Sequence, residues 1–288
     1  MSASTTTTPG GASGGPALAT APSALQGWIM AHRGMVRRGP LSLVTQSRAA
    51  DGMLMTMWGS GSHYTVWLLS MAMSEGFGVP RPKSLNDTLL VGRRKRLPME
   101  HGCPQVIWSH QEAPVWLFRI ARRLARFPRY VVLVRDLRAS FVSYYEKTPR
   151  DARYATFSQF LRGNDRYASD HNFFRQIRFL NAWAKMRRLA PDRVTVLRYE
   201  DLRARPGAEL RRIWSYYGFP KVDDAVFDRA VELSTKEAME KLATGKDEAS
   251  VVRKDKRHPF LWYDDADREY FNAAVGRYLR DDYGYDYS

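Results

Sequence analysis

The sequence predicts a single α/β domain in which a mostly parallel central sheet is flanked by helices. From Gly52 onward, short apolar runs alternate with stretches of helical periodicity, which is the pattern of parallel strands covered by helices. The chain has 288 residues, of which 44% are hydrophobic and 12% are aromatic. This composition is enough to bury one substantial core. We therefore expect one domain over residues 25–288 rather than two domains.

The chain is strongly basic and contains one cysteine. Its formal charge is +15, from 45 Lys and Arg against 30 Asp and Glu, so it attracts polyanions such as nucleic acid, acidic lipid, acidic sugar or a phosphorylated cofactor. Cys103 is the single cysteine, which excludes an internal disulfide and a zinc site built on several thiolates. No apolar run approaches the ~18 residues that a membrane-spanning helix requires, and we therefore expect a soluble protein.

The first 24 residues are Ser, Thr, Gly, Ala and Pro with few bulky apolar groups and no charge. Such a segment buries too little apolar surface to offset the entropy of ordering, and we expect a disordered low-complexity tail. No acidic residue occurs before Asp51, although several arginines do, and this composition resembles an organelle transit peptide. We favour a flexible tail and a cytoplasmic location, with organellar import as the alternative.

Four short apolar or β-branched runs are predicted as buried strands: Met53–Trp58, Gln105–Ser109, Tyr130–Val134 and Val194–Arg198. Three longer amphipathic stretches are predicted as helices: Val115–Arg126, Leu202–Tyr217 and Asp265–Leu279. The last of these begins with acidic residues, where the helix dipole favours them. A further helix is expected from Val66, directly after a turn of small residues.

That turn follows the first predicted strand and has the composition of a phosphate-binding loop: Gly59, Ser60, Gly61, Ser62, His63 and Tyr64. Glycines allow positive φ and bring backbone N–H groups close to an anion, while the following helix N-terminus adds partial positive charge. A nucleoside triphosphatase would require G-x-x-x-x-G-K-[ST], and no such lysine follows Gly61. Taken alone, a Gly/Ser turn between a strand and a helix is weak evidence of function.

Two further motifs follow predicted strands. The strand ending at Val134 continues into Arg135-Asp136 and, eight residues after Arg135, into Ser143-Tyr144-Tyr145. The strand ending at Arg198 continues into Tyr199-Glu200-Asp201-Leu202, then Pro206, an amphipathic stretch and Gly218-Phe219-Pro220.

In matching order from Asp51 to the C-terminus, these motifs resemble the sulfotransferase family of cytosolic and bacterial type. The resemblance implies an enzyme that transfers a sulfuryl group from 3'-phosphoadenosine 5'-phosphosulfate (PAPS) to a hydroxyl or amine acceptor. It implies in-line displacement at sulfur with 3'-phosphoadenosine 5'-phosphate (PAP) as the leaving product. No metal ion is implied, because no Asp, Glu and His cluster has ligand spacing.

The resemblance also implies roles for individual residues. Cofactor contacts are expected from Gly59, Ser60, Gly61, Ser62, His63, Tyr64, Arg135, Ser143, Tyr199, Thr235, Met239, Arg253 and Lys254. In this assignment Arg135 and Ser143 hold the 3'-phosphate, Tyr199 lies at the adenine, and residues 242–252 form a mobile lid. His110 takes the place of the catalytic base, a role that suits an imidazole because its pKa lies near neutrality.

Three positions depart from the family pattern. Gly59 stands where members usually carry Lys or Arg, so the charge on the leaving group must be met by backbone N–H groups, His63 or a basic residue from elsewhere. Trp108 replaces a second family lysine, and Asp255 replaces a glycine of the lid. Because glycine is the residue that a strained anion-binding turn selects, we expect Gly59 to have positive φ.

The sequence does not identify the acceptor, because acceptor pockets are formed by variable loops, here expected over residues 77–101, 150–171 and 245–262. An acidic sugar or lipid would suit the basic run at residues 93–96. Three alternative classes remain: a P-loop kinase or nucleotidase, a nucleic-acid binder, and a catalytically weak nucleotide-binding relative. The second is disfavoured because no aromatic-and-basic recognition motif is present.

Overall fold

The computed structural model describes residues 50–93, 103–123, 127–147, 156–162, 173–242 and 258–287. In these ranges the chain forms a five-stranded sheet in the order β2-β3-β1-β4-β5, and every strand pair is parallel. The strands are β1 Gly52–Thr56, β2 Val91–Arg93, β3 Val106–Ser109, β4 Arg129–Val134 and β5 Val194–Arg198. The predicted α/β class with a parallel central sheet is confirmed.

The described helices cover both faces of this sheet. They are α1 Ser62–Phe77, α2 Val115–Ala121, α3 Leu137–Lys147, α4 Phe157–Arg162, α5 Phe173–Leu189, α6 Tyr199–Ala204, α7 Pro206–Tyr217, α8 Asp224–Glu232, α9 Lys236–Leu242 and α10 Asp265–Tyr278. A short 3-10 turn, Pro259–Trp262, precedes α10.

Side chains alternate between the two faces of the sheet and so divide the core in two. Met53 and Met55 of β1 belong to one buried cluster, whereas Leu54 between them belongs to the other. The same alternation separates Val132 from Val131 on β4. Because both faces of β1 and β4 are buried, these two strands read as largely continuous apolar runs in the sequence, as expected for a parallel sheet covered on both sides.

β1 occupies the middle of the sheet and determines where a ligand can bind. Met53 of β1 is paired with Ile107 of β3 on one side and with Tyr130 of β4 on the other. After β1 the chain forms β2 and β3 on one side of β1, and then β4 and β5 on the other side. The segments that follow β1, β3 and β4 therefore meet at the carboxyl end of the sheet. Such switch points are where open α/β sheets bind ligands.

The observed elements differ from the predicted ones in ways that have physical causes. The predicted helix Leu202–Tyr217 is instead divided between two helices that meet at Arg205, which has φ −139° and ψ 61°. Arg205 precedes Pro206, and a proline disfavours the helical conformation in the residue before it. The first strand ends at Thr56 because the next two residues enter the turn. β2 was not predicted, since three residues are too few to show periodicity.

Several sequence-based expectations fall on residues outside the described ranges. These are the N-terminal tail, most of the basic run at residues 93–96, all but the first residue of the lid over residues 242–252, and Arg253, Lys254 and Asp255. Within the described ranges, no helix combines the length and the apolar character needed to cross a membrane.

Candidate functional site

The turn after β1 can only be made with glycines at two positions. Gly59 has φ 74° and Gly61 has φ 89°, both in the left-handed region that residues with a Cβ rarely adopt. A Cβ on Gly59 would overlap the backbone carbonyl oxygen of Ser140, and a Cβ on Gly61 would overlap the Tyr199 ring. The expected positive φ at Gly59 is confirmed.

Gly61 also caps the N-terminus of α1, a helix of 16 residues. Having no side chain, it gives no side-chain hydrogen bond to the first backbone N–H groups of the helix. These groups carry the positive end of the helix dipole and are suited to binding an anion. The turn therefore has the electrostatic character of a phosphate site.

The serine hydroxyls of the turn are used inside the protein rather than on its surface. Ser60 is fully buried and its Oγ donates to the Met57 carbonyl oxygen at 2.6 Å. Ser62 Oγ donates to Thr56 Oγ1 at 2.9 Å. Both residues were expected to contact cofactor. The Ser60 backbone N–H also donates to the Met57 carbonyl oxygen, at 3.2 Å, so both donors of Ser60 are used within the turn.

Arg135, directly after β4, is held against this turn. Its Nη1 donates to the Gly59 carbonyl oxygen at 2.9 Å, and its Cζ lies 4.6 Å from the centroid of the Tyr199 ring. Ser140 of α3 secures the same turn, because its Oγ donates to the Trp58 carbonyl oxygen at 2.5 Å. The motifs after β1, β4 and β5 are thus in direct contact.

A cavity of about 260 Å³ lies where these motifs meet. It is lined by Gly61, His63, Tyr64, Arg135, Ser143, Lys147, Tyr199, Arg203, Lys236 and Met239. Most of the residues expected to bind cofactor are therefore brought together. Gly59, Ser60, Ser62 and Thr235 do not line the cavity; Thr235 instead accepts a hydrogen bond at its Oγ1 from the Ala238 backbone N–H at 3.2 Å, at the start of α9.

Three basic residues that line the cavity were missed by the sequence analysis, although helical spacing could have found them. Lys147 lies four residues after Ser143 on α3, and Arg203 lies four residues after Tyr199. Residues four apart share one face of a helix. Lys236 opens α9 and precedes Met239 by three residues, which is the other spacing that brings side chains together.

His110 follows β3 and is fixed by the end of β1. Its Nδ1 lies 2.7 Å from the Thr56 carbonyl oxygen and 2.9 Å from Thr56 Oγ1. A carbonyl oxygen can only accept, so Nδ1 carries the proton, and in the neutral ring the lone pair is on Nε2. Trp58 stacks on the imidazole at a centroid distance of 4.8 Å, and Trp108 meets it edge-on at 5.0 Å.

Electrostatics links His63 to both His110 and the cavity. Burial lowers the pKa of His63 to about 4, with further lowering by the positive charges of Lys147 and Arg93 and by His110. Burial likewise lowers the pKa of Lys147 to about 8, assisted by the charge of Arg135. Near neutral pH His63 is therefore a neutral ring, whereas Lys147 remains mostly protonated.

Glu200 connects the segment after β4 to the C-terminal segment. Its Oε1 accepts from the Asp136 backbone N–H at 3.2 Å, and its Oε2 accepts from the Tyr285 hydroxyl at 2.5 Å. The Tyr287 hydroxyl accepts from the Leu137 backbone N–H at 3.0 Å. The residues that directly follow Arg135 and Tyr199 are thereby held in place by the C-terminal segment. Among the described residues, no group of His, Cys, Asp and Glu is arranged to hold a metal ion.

These features define an α/β protein with a basic, tyrosine-lined cavity beside a phosphate-type turn at the switch point of a parallel sheet. Comparison with known families gives a match to the sulfotransferase domain over residues 51–283. Because that match spans most of the chain, the protein belongs to the sulfotransferase family. No curated protein matched the sequence significantly.

Solved structures of similar fold were also found. Mouse sulfotransferase SULT7A1, complexed with PAP, has a TM-score of 0.55 and 14% sequence identity, covering 85% of this chain and 91% of that chain. Retinol dehydratase in a complex with retinol and PAP has a TM-score of 0.49 and 14% identity, covering 83% and 86%. At such identities the mouse structure supports the fold alone, and the score of retinol dehydratase is too low to carry an argument.

Proposed function

We propose that the protein transfers a sulfuryl group from PAPS to a hydroxyl or amine acceptor. The observation that carries this proposal is that residues from three separate motifs of the sequence, those of Gly61, Arg135 and Tyr199, line the same cavity. Agreement between independent motifs and one site is a stronger indication than any motif alone. The mouse sulfotransferase of similar fold was solved with PAP, which favours the same nucleotide here.

The cavity offers a separate place for each part of the donor. The backbone N–H groups at the start of α1 would bind the 5'-phosphosulfate, because they carry the positive end of the helix dipole. Arg135 and the Ser143 hydroxyl would bind the 3'-phosphate through charge-assisted hydrogen bonds. Tyr64 and Tyr199 would contact the adenine, since aromatic rings bury flat apolar surface well.

His110 would act as the base. Because the Thr56 carbonyl oxygen holds the proton on Nδ1, the Nε2 lone pair would accept the proton of the acceptor hydroxyl as its oxygen attacks sulfur. The new S–O bond forms as the S–O bond to the 5'-phosphate breaks, and PAP leaves with the bonding electron pair. Trp58 stacks on the imidazole and would hold the ring in the orientation that this attack requires.

A comparison of ligands tests the nucleotide assignment. We expect PAP to raise the melting temperature of the protein, and ATP with Mg²⁺ to raise it much less, since only a ligand that binds the folded state stabilises it. A larger shift with ATP and Mg²⁺ would instead indicate a kinase or nucleotidase.

Turnover requires a second experiment. Incubation with PAPS and a panel of hydroxyl and amine acceptors, followed by mass spectrometry, should reveal a sulfated product that His110→Ala loses. The absence of a side-chain cation at Gly59, together with Trp108 in place of a lysine, favours a second candidate, a nucleotide-binding relative without turnover. PAP binding with no sulfated product from any acceptor would select that candidate.

A further inference from the structure

Lys147 is placed on the same cavity face as the residues proposed to bind the donor. It is the last residue of α3 and lies one turn after Ser143, so that both side chains project from one side of the helix. Both line the cavity together with Arg135. The sequence motifs assigned no role to this lysine.

Its charge acts on the part of the cavity that lies toward the base. Among the charges that lower the pKa of His63, that of Lys147 is the largest, and His110 also contributes. His63 lines the same cavity as Lys147, and the Trp108 ring contacts both the His63 ring, at a centroid distance of 5.9 Å, and the His110 ring, at 5.0 Å. The other two unassigned cations have different neighbours. The Arg203 Cζ lies 5.0 Å from the Tyr64 ring centroid, and Lys236 lies one helical turn before Met239.

The proposed transfer requires positive charge in that part of the cavity. As the bond between sulfur and the bridging oxygen breaks, the electron pair remains on the 5'-phosphate, whose negative charge grows. The turn after β1 supplies backbone N–H groups, but Gly59 has no side chain and His63 is neutral near pH 7. From this geometry we infer that Lys147 supplies the side-chain cation that stabilises the departing 5'-phosphate. This inference rests on the proposed function.

The surroundings of Lys147 suit that role. Burial removes part of the water that would otherwise solvate its ammonium, and this lowers its pKa to about 8. A poorly solvated cation interacts more strongly with an anion placed against it than an exposed one does. The same pKa leaves the ammonium charged near neutral pH and discharges it above about pH 8.

Substitutions at Lys147 test the inference through turnover and binding together. Lys147→Met should lower kcat by about 10²-fold, the usual effect of removing one group that stabilises transition-state charge. In calorimetry, the same variant should bind PAP more weakly than the wild type does. Its affinity for adenosine 3'-phosphate, which lacks the 5'-phosphate, should be nearly unchanged. Lys185→Met, which removes the same charge from an exposed position on α5, is the matched control and should change neither.

A pH profile gives a second measurement that does not depend on the stability of the methionine variant. In the wild type, kcat/KM should fall above about pH 8 as the ammonium loses its proton. Lys147→Arg should remove that decline, because a guanidinium stays charged throughout this range.

The role of Lys147 and the proposed function can fail separately in these experiments. Unchanged turnover in Lys147→Met, with PAP still bound, would overturn the inference and leave the proposed function intact. Equal weakening of PAP and adenosine 3'-phosphate would also overturn it, because Lys147 would then act at the 3'-phosphate. If the wild type bound no PAP, the proposed function itself would fail, and the inference with it.

Discussion

The guanidinium of Arg135 is held between the ring of Tyr199, 4.6 Å from its Cζ, and the carbonyl oxygen of Gly59, 2.9 Å from its Nη1. Arg135→Ala removes the cation proposed for the 3'-phosphate. PAP affinity should fall by about 1.5–3 kcal/mol, the usual worth of a charged hydrogen bond. Calorimetry at constant ionic strength measures this loss. The control variant is Arg277→Ala, on the exposed side of α10, which should leave the affinity for PAP unchanged. If Arg135→Ala also left this affinity unchanged, the assignment of Arg135 to the 3'-phosphate would be contradicted.

The ring of Tyr199 contacts both Arg135 and the turn at Gly61. Tyr199→Ala should raise the apparent Kd for PAP and leave the far-ultraviolet circular dichroism unchanged, because the residue is only partly buried. Tyr199→Phe keeps the ring and should retain most of the affinity. A variant that loses its fold would show instead that Tyr199 serves the core.

Gly59 should not tolerate a side chain. Its φ of 74° and its approach to the Ser140 carbonyl oxygen mean that Gly59→Lys strains the turn by about 1–3 kcal/mol. We expect this variant to bind PAP more weakly than the wild type. Gly276→Ala is the matched control, because a Cβ there meets no atom within 4 Å and the helical backbone accepts alanine. Faster transfer by Gly59→Lys with undiminished PAP affinity would show that the turn tolerates a cation.

His63 should make the protein less stable in acid. Its pKa in the folded state is lowered to about 4 from 6.5, so between these values the unfolded chain binds more protons than the folded one. Stability should therefore fall as pH decreases from 6.5 to 4, by an amount on the order of 2 kcal/mol. His63→Asn should flatten this part of the profile, measured by urea unfolding at a series of pH values. Equal slopes in both proteins would contradict the buried neutral ring.

The Tyr285 hydroxyl should support the cavity from a distance. Tyr285→Phe removes its hydrogen bond to Glu200, whose other oxygen holds the Asp136 backbone N–H next to Arg135. The free energy of unfolding should drop by about 1.5–3 kcal/mol, as for a hydrogen bond to a charged group. PAP affinity should fall more modestly. Tyr278→Phe removes a hydroxyl from α10 and should change both quantities less. Larger losses in Tyr278→Phe than in Tyr285→Phe would contradict the supporting role of the hydrogen bond between Tyr285 and Glu200.

The sequence predicted the parts of the fold that depend on local pattern. β4 was predicted because a strand buried on both faces is a continuous apolar run, and β5 because most of its residues are apolar or β-branched. The break at Arg205 was missed even though Pro206 indicates it, because the amphipathic period on either side suggested one helix. β2 could not be recognised, since its three residues gain their strand geometry from pairing with β3.

The residues of the candidate site were also predicted only in part from the sequence. Arg135, Ser143 and Tyr199 were assigned through the resemblance of their motifs to the family. Arg135 and Tyr199 directly follow strands, and Ser143 lies eight residues after Arg135. Lys147 and Arg203 belong to no motif. Their four-residue spacing from Ser143 and Tyr199 indicates a shared helix face, but their place in the cavity depends on the direction in which α3 and α6 leave the sheet. The internal use of Ser60 and Ser62 hydroxyls was equally hidden, because sequence cannot distinguish a hydroxyl that faces a ligand from one that bonds its own backbone.

The hydroxyl chain from Ser62 through Thr56 to His110 has a consequence for acceptor choice. It ties the first residue of α1, where the donor would be held, to the imidazole that would receive the acceptor's proton. These two hydrogen bonds link the position of the proposed donor site to that of the proposed base, so the separation of the attacking oxygen and sulfur would depend on the scaffold. Acceptors of different size and shape would then be accommodated by residues farther from β1 than the His110 imidazole. Directed evolution toward new acceptors should accordingly succeed at the rim and fail at Thr56.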